Sequence, residues 1–128
     1  MQVLFDTHIL LWAAAGSPRL PPAARRLLND PRTVPWFSAA SIWEVVIKAS
    51  LGRTDFIVDP VQLRRGLLRH GYVELTITGR HALAVADLPA MHTDPFDRML
   101  LAQARSERVP LASADTQLMG LPDVLDLA

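Results

Sequence analysis

The chain has 128 residues, 50% of them hydrophobic and 20% charged, and contains no cysteine. That length and balance suit one α/β domain spanning residues 1–128 and exclude disulfides and thiolate metal sites. Thirteen basic and thirteen acidic residues cancel to zero formal charge, so no global field draws the chain onto nucleic acid, and any such role must reside in a local site.

In chain order, residues 3–5 form an apolar run that predicts a buried strand stopping at Asp6. A helix follows over residues 7–15, closed by Gly16-Ser17-Pro18, and a second over 21–28, ending near Asn29-Asp30-Pro31. Residues 34–37 read as a strand that Pro35 weakens or moves to an edge. Ser38 or Ser41 caps a helix reaching about Leu51, with Gly52 after it. Asp59-Pro60 opens a helix through His70, residues 73–77 alternate as a short strand, and Thr78-Gly79 precede a helix near residues 80–86. Asp94-Pro95 starts a helix running to about Glu107, since Asp caps and Pro suits the first helical position. The apolar strand 109–112 and a final segment 124–127 complete the pattern. Strands alternating with helices of this length imply βαβ units and a parallel sheet covered on both faces, whose ligands sit beyond the carboxyl ends of the strands.

Four acids fall where that rule matters. Asp6 directly follows the first strand, where it serves either a ligand-facing edge or the N-cap of the next helix. Glu44 completes Ser41-Ile-Trp-Glu44, a capping-box pattern, and stands four residues before Lys48; yet Ile47 and Leu51 share its face, and a carboxylate turned inward needs a cation. Asp97 suits the dipole of its helix, but Leu100, Leu101 and Ala104 follow on the same face, so the acid heads an apolar stripe. Asp115 comes just past the strand 109–112, as a turn residue or a site residue. Four carboxylates converging at one sheet edge repel one another unless cations neutralise them, and oxygen-only donors suit a hard ion such as Mg²⁺ or Mn²⁺.

The remaining chemistry is less specific. His8, His70, His81 and His92 show no zinc spacing. Trp12, Trp36 and Trp43 are read as core or interface groups rather than base-stacking ones. Twelve of the thirteen basic residues are Arg; the guanidinium fork suits phosphate, although a GC-rich genome gives the same bias. Residues 9–15 are apolar but short for a secretory h-region and far too short for a bilayer span, and no Lys or Arg precedes them. The expected location is the cytoplasm, with no membrane association.

Taken in register, the stretches Asp6-Thr-His-Ile-Leu-Leu-Trp12, Ser38-Ala-Ala-Ser-Ile-Trp-Glu44, Asp94-Pro-Phe-Asp97-Arg and Ser113-Ala-Asp115 resemble PIN-domain nucleases, most of all the VapC-type toxins of bacterial toxin–antitoxin pairs. The resemblance implies a PIN-like three-layer α/β/α fold with a central, mostly parallel sheet. It places Asp6, Glu44 and Asp97 on the three core metal-binding acids and Asp115 on the fourth, more variable position. Thr7 and Ser38 match a small hydroxyl beside the metal. Ser113 departs mildly from the usual Thr before the last acid, and Asp94 is assigned to the helix cap.

The activity so implied is Mg²⁺-dependent hydrolysis of RNA phosphodiester bonds, with Mn²⁺ as the other candidate ion, in a homodimer restrained by a small antitoxin that covers apolar surface and blocks the acidic pocket. Lys48, Arg53 and Arg98 are candidates for RNA contact, with an ordinary surface charge as the favoured reading of each. Two other readings compete: a PIN-like fold kept as a non-catalytic binding module, and a signalling receiver domain. The receiver lacks its second acid beside Asp6 and its late Lys.

Overall fold

The computed structural model describes residues 1–52, 57–90 and 94–128. Five parallel strands form one sheet: β1 (Gln2–Phe5), β2 (Val34–Ser38), β3 (Val73–Leu75), β4 (Leu111–Ser113) and β5 (Val124–Asp126), in the order β3-β2-β1-β4-β5. Six helices flank it: α1 (Thr7–Ala15), α2 (Pro22–Asn29), α3 (Ala39–Ser50), α4 (Pro60–Arg69), α5 (Gly79–Ala84) and α6 (Pro95–Glu107). The result is a three-layer α/β/α fold with an all-parallel sheet. Its strand order differs from the 2-1-3-4-5 order of receiver domains, which removes that reading. Among the described residues no helix is long and apolar enough to cross a membrane.

The period-2 geometry of β1 divides the core. Val3 and Phe5 face a cluster with Ile9 and Leu10 of α1, Ala24 of α2, and Leu63 and Leu67 of α4. Leu4 faces the opposite cluster, with Leu100, Leu101 and Ala104 of α6 and Leu111 of β4. α3 contributes to both layers, Val45 to the first and Ala40 to the second. Because β1 is buried on both sides at the middle of the sheet, Asp6 at its end is held by a rigid support.

Three expectations need correction. Pro35 does not put β2 at an edge, since β2 pairs with both β1 and β3. The Val34 N–H donates to Met1 O at 2.7 Å on the β1 side, so the donor that proline lacks would face β3, whose ladder begins only at Trp36 opposite Val73. Ser41 neither caps α3 nor forms a capping box. Ser38 is the N-cap, its hydroxyl accepting the Ala40 N–H at 3.0 Å, while Ser41 is buried one turn inside. The strand placed at 109–112 starts at Leu111 instead, because Arg108 takes a left-handed conformation and the Val109 N–H returns to Ala104 O at 3.0 Å, closing α6.

Candidate active site

Asp6 is the N-cap of α1 and also reaches the end of β4. One carboxylate oxygen accepts the Ile9 N–H at 3.1 Å, capping α1, and the other accepts the Ser113 hydroxyl at the end of β4. The side chain is only 6% exposed. Burial pushes its pKa above the ordinary value, against the opposing pull of the Ser113 and Ile9 hydrogen bonds and of His8, with the charge of Asp115 adding to the rise.

Ser113 is the hinge between two of the acids. Its oxygen also accepts the Asp115 N–H at 3.0 Å, and Asp115 in turn caps the short turn Thr116–Leu118 by accepting the Gln117 N–H at 2.9 Å. Ser113→Ala leaves a buried carboxylate oxygen and the Asp115 amide without this partner. We expect a loss of about 1–3 kcal/mol, read from the midpoint of urea unfolding in divalent-free buffer, and an unchanged midpoint would show that water replaces the hydroxyl.

Glu44 turns inward from α3 and is 3% exposed. One of its oxygens takes the Thr7 hydroxyl at 2.6 Å and the other takes Lys48 Nζ at 2.7 Å, one helical turn on. The cation that a buried carboxylate needs is thus partly supplied from within the chain. The apolar stripe invoked for Glu44 does not continue to Leu51, which is 70% exposed as the C-cap of α3. Thr7 also lies 2.9 Å from Ser41 Oγ, so a buried row of hydroxyls joins α1 to α3.

Asp94 caps α6, accepting the Phe96 N–H at 2.8 Å and the Asp97 N–H at 3.2 Å. The cap sets the first turn of α6, and with it the direction of Asp97. These elements bring Asp6, Thr7, Glu44, Asp94, Asp97 and Asp115 to the wall of one cleft of about 420 Å³ at the carboxyl edge of the sheet.

Not every expected residue reaches it. Ser38 is absent from the lining: its hydroxyl, already spent on Ala40, donates to Gln103 Oε1 of α6. Gln103 is fully buried and its amide donates to Thr76 O at 3.2 Å, so it ties α6 to the ends of β2 and β3. Lys48 does line the cleft, whereas Arg98 donates to Pro89 O at 3.0 Å and Val85 O at 3.1 Å and holds the segment before α6. Arg53 and His92 lie outside the described residues. His70 bonds Gly66 O within its own helix, and buried His81 bonds Glu107 at 2.8 Å.

Sequence reasoning missed Asp94, His8, Trp12, Arg19 and Gln117 as lining residues. The i, i+4 spacing of His8 and Trp12 after Asp6 was a usable signal, because such residues share a helix face. Nothing local pointed to Arg19.

The carboxylate and hydroxyl donors of the cleft are oxygens of the type that hard divalent ions prefer, and among the described residues the cleft carries five carboxylates against Lys48, Arg19 and the imidazole of His8. Their chemistry fits such an ion, but the arrangement is not preformed. Among the described residues no three His, Asp or Glu side chains are disposed to hold one; Glu44 is engaged by Thr7 and Lys48, and Asp6 by Ser113 and Ile9.

No curated protein matches the sequence. Solved structures do match the fold. A toxin–antitoxin complex from Klebsiella pneumoniae superposes with a TM-score of 0.69 at 21% identity, covering 98% of each chain. VapBC2 from Rickettsia felis bound to a promoter DNA fragment gives 0.68 at 12% identity, covering 98% of this chain and 96% of that one. The Mycobacterium tuberculosis toxin VapC20, which cleaves the sarcin–ricin loop, gives 0.63 at 16% identity, covering 95% and 98%. At these identities the likeness is one of fold. The sequence model of the PIN domain family matches residues 3–122, which hold four of the five strands but for Gln2 and all the cleft-lining residues described above, and by that match the chain belongs to the PIN domain family.

Proposed function

We propose that this single-domain chain is a metal-dependent endoribonuclease, the toxin of a type II toxin–antitoxin pair, hydrolysing phosphodiester bonds of single-stranded or loop RNA. The observation that carries the reading is the convergence of acids from four remote stretches, Asp6, Glu44, Asp97 and Asp115, on one cleft. Five carboxylates in so small a space repel a polyanion, so RNA enters only with cations to neutralise them. Mg²⁺ fits the donor set, with Mn²⁺ as its nearest substitute.

Asp6 and Asp97 would hold the ion as principal ligands, with Asp115 binding directly or through water. The chemistry such an ion supplies when bound is polarisation of a phosphate oxygen and a lower pKa for a bound water. Glu44, its carboxylate anchored by Thr7 and Lys48, would serve as a further ligand or would position that water. Ser113 holds Asp6 and Asp115 in mutual register. Lys48 balances Glu44 and stands at the cleft wall, where it would meet the phosphate. Ser38 acts indirectly, by capping the helix that carries Glu44.

The kinship in fold with complexes described as toxin–antitoxin and VapBC supports an antitoxin as the partner, and we extend the proposal to a homodimer working in the cytoplasm. Exposed apolar side chains such as Trp43, Val46 and Val61 are available for such contacts. Purified protein incubated with a mixture of structured and single-stranded RNAs should cut in Mg²⁺ or Mn²⁺ and stop in excess EDTA, with the cut sites mapped by sequencing the new RNA ends. Cutting that persists in EDTA would overturn metal dependence. Intact RNA under every divalent condition would leave the family's non-catalytic binding role.

A further inference from the structure

Beside the acidic cleft lies a second cavity, of about 360 Å³, and the two share His8, Trp12 and Arg19 as a common wall. His8 and Trp12 stand one turn apart on the same face of α1, their ring centroids 5.6 Å apart and inclined at 45°. The helix stops at Gly16, whose φ of 60° lets the chain reverse, with the Ser17 N–H returning to Trp12 O at 2.9 Å. Ser17 Oγ then accepts the Arg19 N–H at 3.1 Å, and the guanidinium carbon of Arg19 lies 5.3 Å from the centroid of the Trp12 ring. Leu11, Ile57 and Val58 give the far side of this second cavity an apolar lining. A tryptophan only half-buried, an exposed imidazole and an exposed guanidinium thus form a continuous rim that begins at the acids and leads outward.

We propose that this rim is a base-stacking shelf, holding the nucleotide of a single-stranded RNA next to the phosphate seated over the acids. The inference rests on the ribonuclease reading and deepens it by naming where the substrate strand leaves the cleft. Bases stack on indole and imidazole faces whatever their sequence, and Arg supplies both a planar stacking surface and a fork for phosphate. Apolar side chains opposite the ring exclude water from the base without reading its edge. The contact that holds the Arg19 guanidinium over the indole is solvent-exposed, so an entering base takes the ring face while the guanidinium turns to the backbone phosphate. A chain of zero net charge gains its hold on RNA locally in this way, outside the carboxylates rather than among them.

The test uses the full-length protein carrying Asp97→Asn, so that RNA is bound and not cut, in Mg²⁺, with an unlabelled single-stranded oligoribonucleotide as the probe. RNA should quench tryptophan emission, and Trp12→Phe in the same background should remove most of that quenching while keeping affinity within a few-fold. Trp12→Ala and Arg19→Gln should each weaken binding about tenfold, the lower half of the range for losing one stacked base. In the active protein the same two changes should raise KM and leave kcat within about threefold, as loss of uniform binding does, with thermal midpoints confirming that the variants are folded. Equal affinities across the series, or quenching that survives Trp12→Phe, would overturn the shelf even if the wild type cuts RNA. Quenching that depends on Trp12 in a protein that cuts no RNA would keep the shelf and sink the nuclease.

Discussion

Asp6→Asn is expected to lower RNA cleavage by a factor of about a thousand or more, because loss of a principal metal ligand removes several kcal/mol of transition-state stabilisation at about 1.4 kcal/mol per tenfold. The fold should survive. Asn is as good an N-cap as Asp and keeps an oxygen for the Ile9 N–H. In divalent-free buffer at neutral pH the variant should melt at or above the wild type, since it no longer carries a carboxylate buried to 6% exposure.

The sign of the pH dependence follows from the raised pKa of Asp6. The folded protein holds that proton more tightly than the unfolded chain, so this group's contribution is fully present below the ordinary carboxylate value and is lost as pH rises through the higher folded value. The advantage of the Asn variant should therefore be widest near neutral pH and close as the solution is acidified. Paired thermal melts between pH 7 and pH 4 measure it, and an Asn variant that melts far below the wild type at pH 7 would show Asp6 to be structural. A variant that cuts RNA at the wild-type rate would remove Asp6 from the chemistry.

The largest effect on stability is expected at Phe5, the residue before Asp6. Phe5 is fully buried on the central strand and packs in the cluster formed with α1, α2 and α4. Truncation to Ala should cost about 3–5 kcal/mol, a large share of the roughly 5–15 kcal/mol that stabilises a domain of this kind. Urea unfolding should show the midpoint falling with little change in slope, while Phe5→Leu, which keeps most of the volume, should lose far less. Activity should fall with the folded fraction rather than through kcat. An Ala variant as stable as the wild type would mean that the β1 core contributes little.

The parts of this molecule that the sequence determined by itself are those governed by spacing over a few residues. Asp94-Pro95 specifies a helix start because capping involves only the next turn, and the Glu44–Lys48 pair forms because four residues span one turn. The apolar run before Asp6 specifies a buried strand, and the alternation of strands with helices specifies a parallel sheet and the edge at which its acids gather. Four of the five acids in the cleft, Asp6, Glu44, Asp97 and Asp115, were legible on that ground together with the family resemblance, whereas Asp94 was read only as a cap.

Other features depended on partners far away in the chain, and only the tertiary structure decided them. Ser113 meets Asp6 across 107 residues, and Ser38 meets Gln103 across 65, so neither hydroxyl's direction is written in its neighbours. Ser38 was expected beside the metal and was drawn into the core by a buried amide. The place of Pro35 inside the sheet turned on where β3 begins, and the place of Arg19 over Trp12 turned on a left-handed residue at Gly16. Local periodicity sets which face of an element is apolar. Which distant polar group that face meets is set by packing, since a buried hydrogen bond forms only where the folded chain brings both partners out of water together.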